Sequence, residues 1–190
     1  MIHPSTELRF ASVNTGFGLF ALQPISKGTV TWVRDPLDRQ LSLEEAARLP
    51  PELLEGLSHD YYRVFGGPYL LTHDNTRFMN HSCRPTCAHL FDDVEIAIRD
   101  IAAGEELTSD YASFTLDTHE EFRCHCAEPT CRHWVRRDDP SSQRGYWKLV
   151  LEQAIQEFAN VQQPLKFLFA QSSLAQAHKL IIRTGEMQEA

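Results

Sequence analysis

Arg77-Phe78-Met79-Asn80-His81-Ser82-Cys83-Arg84-Pro85 crowds an amide, an imidazole, a hydroxyl and a thiol into a stretch that a strand would bury. Polar groups removed from water cost free energy unless they are partnered, so such a cluster points to a site. Downstream stands Gly104-Glu105-Glu106-Leu107-Thr108-Ser109-Asp110-Tyr111, followed by Cys124-His125-Cys126 and Cys131; upstream lies Gly16-Phe17-Gly18-Leu19-Phe20-Ala21.

Around these segments the pattern is mostly β. From Leu8 to Val33 short apolar runs are broken by Gly16, Gly18, Pro24 and Gly28, and Tyr69–Thr72, Ala88–Phe91 and Glu95–Ile98 read as further short strands. Ser42-Leu43-Glu44-Glu45 is a capping box opening a helical insert over 42–62, with Pro50 and Pro51 dividing it. Asp138 to Ser142 reads as a polar linker. Beyond it Trp147, Val150, Leu151, Ala154, Ile155 and Phe158 recur at helical spacing, and a second helix is expected after Pro164 with Leu174, Ala177, Leu180 and Ile181 on its apolar face. These faces suit a helical hairpin packed on the core, or a homodimer contact.

With 190 residues and 42% hydrophobic content, the chain can bury one core. A formal net charge of −8 excludes a general nucleic-acid backbone binder or a basic zinc ribbon and favours a basic protein or peptide partner. The N-terminal Met1-Ile2-His3-Pro4-Ser5 carries no basic leader, and no apolar run approaches the roughly 18 residues of a membrane span, so a soluble intracellular protein, cytoplasmic or nuclear, is expected. Five cysteines in such a chain favour metal binding over disulfides.

In this order, the glycine turn, Asn-His-Ser-Cys-x-Pro, Gly-Glu-Glu-Leu-Thr-x-Asp-Tyr and Cys-x-Cys-x4-Cys together resemble the SET-domain protein-lysine methyltransferases with their post-SET segment, over roughly residues 8–135. The resemblance implies a mainly β, β-clip-like fold of small sheets with a threaded C-terminal segment. It implies a SET domain at 8–117 and a post-SET zinc segment at 118–137, and the C-terminal helical extension at 141–190, read from its periodicity, lies outside it. It also implies S-adenosylmethionine as methyl donor, S-adenosylhomocysteine as product and lysine of a basic protein, histones among the candidates, as acceptor.

By the same resemblance, Gly16, Phe17, Gly18 and Leu19 with Asn80 hold the amino acid end of the cofactor, and main-chain groups of Asn80 and His81 meet its adenine. Arg77 borders the pocket, and Trp134 closes over the adenine or else packs into the core beside the cysteines. Tyr111 is the active-site tyrosine, and Tyr61, Tyr62 and Tyr69 are further candidates to line a lysine channel. Cys83 joins Cys124, Cys126 and Cys131 around one structural zinc, leaving Cys87 as a small buried hydrophobe and His125 and His133 as rival ligands. The chemistry asks for such a channel: free lysine has a pKa near 10.4, so the site must desolvate and orient the amine before it can act as a nucleophile.

Three departures qualify the match. Ser109 stands where the family usually has tyrosine or phenylalanine, which predicts extra room for a second or third methyl group; Thr86 replaces a common asparagine; and Gly28 to Val33 lacks the family's frequent glutamate. A catalytically inert zinc-stabilised SET-fold binding module is therefore the alternative.

Overall fold

The computed structural model describes residues 1–53, 62–63, 68–113, 121–136 and 138–175. Along the chain run β1 (Thr6–Ser12), β2 (Gly16–Ala21), β3 (Val30–Val33), β4 (Arg39–Leu41), α1 (Leu43–Ala47), β5 (Tyr62–Arg63), β6 (Tyr69–Leu71), β7 (Asn80–His81), β8 (Cys87–Phe91), β9 (Val94–Ala97), β10 (Glu106–Ser109), β11 (Phe122–Arg123), β12 (Trp134–Val135) and α2 (Asp139–Glu157). The strands form small sheets ordered β1-β2-β10-β7, β3-β9-β8, β4-β6-β5 and β11-β12. Among the described residues, all strand pairings are antiparallel except β7 with β10.

The β1–β2 hairpin turns at Gly16, whose φ of 72° lies in the left-handed region that favours glycine. Leu19 and Ala21 then face a core completed by Ile25, Met79, Cys87, Ala97, Ile101 and Leu107. Cys87 is fully buried there, as its expected role as a small hydrophobe requires. The capping box at α1 is formed: Ser42 accepts from the Glu45 backbone N–H at 3.1 Å, and the Glu45 carboxylate accepts from the Ser42 N–H at 2.8 Å. Leu41 and Ala46 bury α1 against Tyr69 and Leu71 of β6. The rest of the insert, 54–61, and the stretch 114–120 lie outside the described residues.

The C-terminal part differs from expectation in two places. Asp138 to Ser142 is not a linker but the start of α2, because Pro140 sits in the first turn, where its missing N–H has no partner to lose. After Pro164 a 3-10 helix, Lys166–Gln171, intervenes before the expected second α-helix, which begins at Leu174; Ala177, Leu180 and Ile181 lie outside the described residues. Ala154, Phe158, Leu165, Leu168, Phe169 and Leu174 pack on Val30 and Val33 of β3, Ala88 of β8 and Val94 and Ile96 of β9. Of the apolar faces offered for dimerisation, Ala154, Phe158 and Leu174 are used within the chain. The side-chain amide of Gln163 donates to the Gly28 carbonyl at 2.8 Å and accepts from the Val30 N–H at 2.9 Å, fastening this segment to β3. Among the described residues, no helix is long and apolar enough to cross a membrane.

Candidate active site and cysteine cluster

The parallel pairing of β7 with β10 sets Thr108 beside Asn80 and Ser109 beside His81, laying the two polar motifs edge to edge. Tyr111 follows in a 3-10 turn, Tyr111–Ser113. Its hydroxyl donates to the Met79 carbonyl at 2.6 Å, and its backbone N–H donates to His81 Nδ1 at 3.2 Å. Burial, reinforced by Glu106 and Glu95, pushes the phenol up, so it stays a neutral hydroxyl through the physiological range.

Asn80 donates through Nδ2 to the Phe17 carbonyl at 3.0 Å and to Glu106 Oε1 at 2.7 Å. Gly18 makes this possible: a Cβ there would fall 2.1 Å from Glu106 Oε1 and 2.9 Å from Asn80 Nδ2. Amide, carbonyl and carboxylate thereby converge beside the hairpin, with the half-exposed Phe17 ring edge-on to Phe10 and Phe78. Leu19 contributes backbone only, since its side chain is fully buried. Arg77 is not drawn into this group; it donates to the carbonyls of Thr72 and Asp74 and lies over the Phe78 ring. Trp134 is 46% exposed, which removes the reading in which it packs beside the cysteines; that core seat belongs to Val135, with Trp147 against it. Tyr69 is half-buried in the α1 core, Tyr61 lies outside the described residues, and of Tyr62 only the backbone is described.

The ligand atoms of Cys83, Cys124, Cys126 and Cys131 all lie within 4.8 Å of one another. Cys83 Sγ is 3.7 Å from Cys124 Sγ and 4.0 Å from Cys131 Sγ. Four sulfurs at about 2.3 Å from a tetrahedral zinc stand ~3.8 Å apart, so the spacing and donor set fit that ion. His125 and His133 are exposed and outside the set. Backbone N–H groups of Arg132 and His133 donate to Cys83 and Cys131 at 3.4 and 3.3 Å, the support a thiolate needs.

One group joining these parts escaped sequence reading. The buried Asp110 carboxylate accepts from Arg132 Nη2 at 2.6 Å, from Trp147 Nε1 at 3.2 Å and from the Ala112 N–H at 3.1 Å, tying the cysteine segment and α2 to the tyrosine turn. His81 sits between them, with Nε2 3.5 Å from Cys83 Sγ; burial and then Arg132 lower it to about 3, so it is neutral, its Nδ1 accepting from Tyr111.

Ser109 does not leave open space. Its hydroxyl donates to the Glu95 carboxylate and lies 3.0 Å from Met79 Sδ, and both Ser109 and Glu95 are 1% exposed. Burial pushes Glu95 up to about 7. A carboxyl held above its unfolded value binds its proton more tightly when folded, so stability is full below about pH 4.5 and falls as pH rises through 7. Glu95→Gln is expected to be on the order of 3 kcal/mol more stable than the parent at pH 8.5 and indistinguishable from it at pH 4, in urea unfolding at the two pH values.

The SET domain family model matches residues 16–112, the stretch that holds β2, Asn80, Ser109 and Tyr111. The chain belongs to the SET family. Among SET relatives, it is 31% identical over 155 residues to a Candida albicans histone-lysine N-methyltransferase, H3 lysine-4 specific, covering 70% of this chain and 14% of the relative. It is 29% identical over 142 residues to the Drosophila melanogaster histone-lysine N-methyltransferase ash1, covering 69% and 6%. The chain thus spans a small fraction of the relatives it matches. In fold it is similar to the methyltransferase domain of human histone-lysine N-methyltransferase SETMAR, with a TM-score of 0.51 at 20% identity over 71% of this chain and 58% of that one.

Proposed function

We propose that this chain is an S-adenosylmethionine-dependent methyltransferase acting on lysine in a basic protein, with one structural zinc on the four cysteines. The observation that carries the reading is the juxtaposition made by β7 and β10: the Tyr111 hydroxyl on the Met79 carbonyl, one residue from an Asn80 amide that meets the Phe17 backbone. When bound, S-adenosylmethionine supplies a methyl group on a sulfonium; of its zwitterionic amino acid end, the ammonium suits the Glu106 carboxylate and the Phe17 carbonyl, and the carboxylate suits the Asn80 amide. Trp134, exposed beside the cysteine segment, offers a ring face for the adenine.

On the acceptor side, the neutral Tyr111 hydroxyl and the Met79 carbonyl orient an amine, and the buried surroundings disfavour its ammonium form. The net charge of −8 suits a basic acceptor, and the relatives' histone specificities make histone peptides the first acceptors to try.

Incubating the chain with methyl-labelled S-adenosylmethionine and a panel of basic proteins tests this. Label is expected on lysine, with transfer falling at least ~100-fold in Tyr111→Phe and cofactor affinity falling in Asn80→Ala. Cofactor binding without transfer to any acceptor would instead make the chain an inert binding module.

A further inference from the structure

We propose that Glu95, acting through the Ser109 hydroxyl, is the acceptor for the proton that a substrate lysine must lose. The inference rests on the reading of the site as a lysine methyltransferase. It arises from a carboxyl that the core packing does not need. Glu95 is the central residue of a row across the β3-β9-β8 sheet, between Trp32 and His89, on the face turned away from α2. Its neighbours on the opposite face, Val94 and Ile96, are ordinary core residues. A carboxyl here costs stability and needs another reason to be present.

Geometry connects it to the reacting end of the site. The Ser109 Oγ lies against Glu95 on one side and 3.0 Å from Met79 Sδ on the other, and the carbonyl of Met79 is the group that holds the Tyr111 hydroxyl at 2.6 Å. Ser109 has two usable partners. With Glu95 ionised, its O–H donates to the carboxylate; with Glu95 protonated, the carboxyl O–H donates to Oγ and the serine proton turns to the methionine sulfur. Both protonation states of Glu95 are satisfied without moving the backbone, which a buried carboxyl serving packing alone would not require.

The transfer balances. One N–H bond of the ε-ammonium breaks and its electron pair stays on nitrogen; Ser109 Oγ takes that proton as its own O–H proton passes to Glu95. The products are a neutral amine and a neutral carboxyl, and the carboxyl returns its proton to water once the channel empties. The other ionisable groups facing Glu95 do not compete. From β8, the Cys87 thiol is pushed up by burial and then by Glu95 itself, and His89, opposite in register, is lowered to about 4 by burial. Beyond β10, the Tyr111 phenol is pushed up by burial, Glu106 and Glu95. Trp32 on β3 carries no charge, and Arg99 is paired with Glu105.

The test uses the full chain, its Glu95→Gln, Glu95→Asp and Ser109→Ala variants, and n-butylammonium as the lysine surrogate. Infrared difference spectra at pH 8 are expected to show a protonated carboxyl band gained when n-butylammonium is added to the parent, absent in Glu95→Gln and diminished in Ser109→Ala. Loss of that band, as a plain ion pair would give, or no change, overturns the proposal whether or not methyl transfer is found. If labelled methyl is transferred to a basic acceptor, Glu95→Gln is expected to lose about 100-fold in kcat/KM at pH 7 and to recover as pH approaches 10, with Glu95→Asp restoring the parent's pH profile. Superimposable profiles for parent and Glu95→Gln overturn it equally. A parent that transfers no methyl group contradicts the methyltransferase reading alone, and the spectra still decide the proton acceptor.

Discussion

Ending the chain at Arg136 is expected to abolish cooperative folding. The segment beyond supplies Ala154, Phe158, Leu165, Leu168, Phe169 and Leu174 to the core over β3, β8 and β9. The five larger of these side chains, at about 1.5–3 kcal/mol each, match the whole net stability of an ordinary domain, about 5–15 kcal/mol. The cut also strips Trp147 from Asp110 and Gln163 from the edge of β3. Urea unfolding followed by tryptophan fluorescence and far-UV circular dichroism should show a single sigmoid for the full chain and a shallow, non-cooperative drift for the shortened one. A transition of unchanged midpoint in the shortened chain would mean that α2 and its successors are an appendage.

Cys83→Ser should remove metal and activity together. Three thiolates from the 124–131 stretch and one from just beyond β7 make a closed set, and a structural zinc in small domains binds with roughly 10–16 kcal/mol of free energy that is also folding free energy. Losing Cys83 leaves the other three ligands no anchor on the site wall, where His81 contacts both Cys83 and Tyr111. The expected results are less than one-tenth of the parent's zinc by metal analysis and fast amide exchange through 121–135. Methyl transfer should fall at least ~100-fold, with the urea midpoint of the main core moving by much less. Full zinc content in Cys83→Ser would assign the fourth ligand elsewhere.

The parts of this molecule that sequence disclosed are those set by local rules. The Ser42–Glu45 box, the short strands around Gly16 and the Cys-x-Cys-x4-Cys spacing each carry their signal within a few residues. The start of α2 was missed because Pro140 breaks helices in the interior and favours them in the first turn, and nothing local says which applies. The α-helix that begins at Leu174 was legible in its apolar spacing, whereas the 3-10 helix before it was not, because apolar spacing alone does not separate the two. In the site, Asn80, Tyr111 and Cys83 were visible through their motifs, whereas Glu95 stands in the apolar strand Val94–Ala97 and announces itself only by being charged. Asp110 and Arg132 lie 22 positions apart, and their pairing is a product of tertiary structure alone. A charged residue inside a run of strand formers was the one signal that would have found Glu95, and Ser109, small where bulk was expected, was its counterpart.

The Gln163 amide has a consequence for how the chain behaves in a crowded solution. β3 is the border of its sheet, and a border strand normally offers its free N–H and C=O groups to any passing strand. Here the Gln163 side chain imitates a peptide group against Gly28 and Val30, while His3 and Met1 pair with Thr31 and Val33 further along. The docking points on that border are already filled from within. A chain that loses Gln163 keeps its site and gains a sticky seam, so its failure would be seen as fibrils on warming before it is seen as slower chemistry.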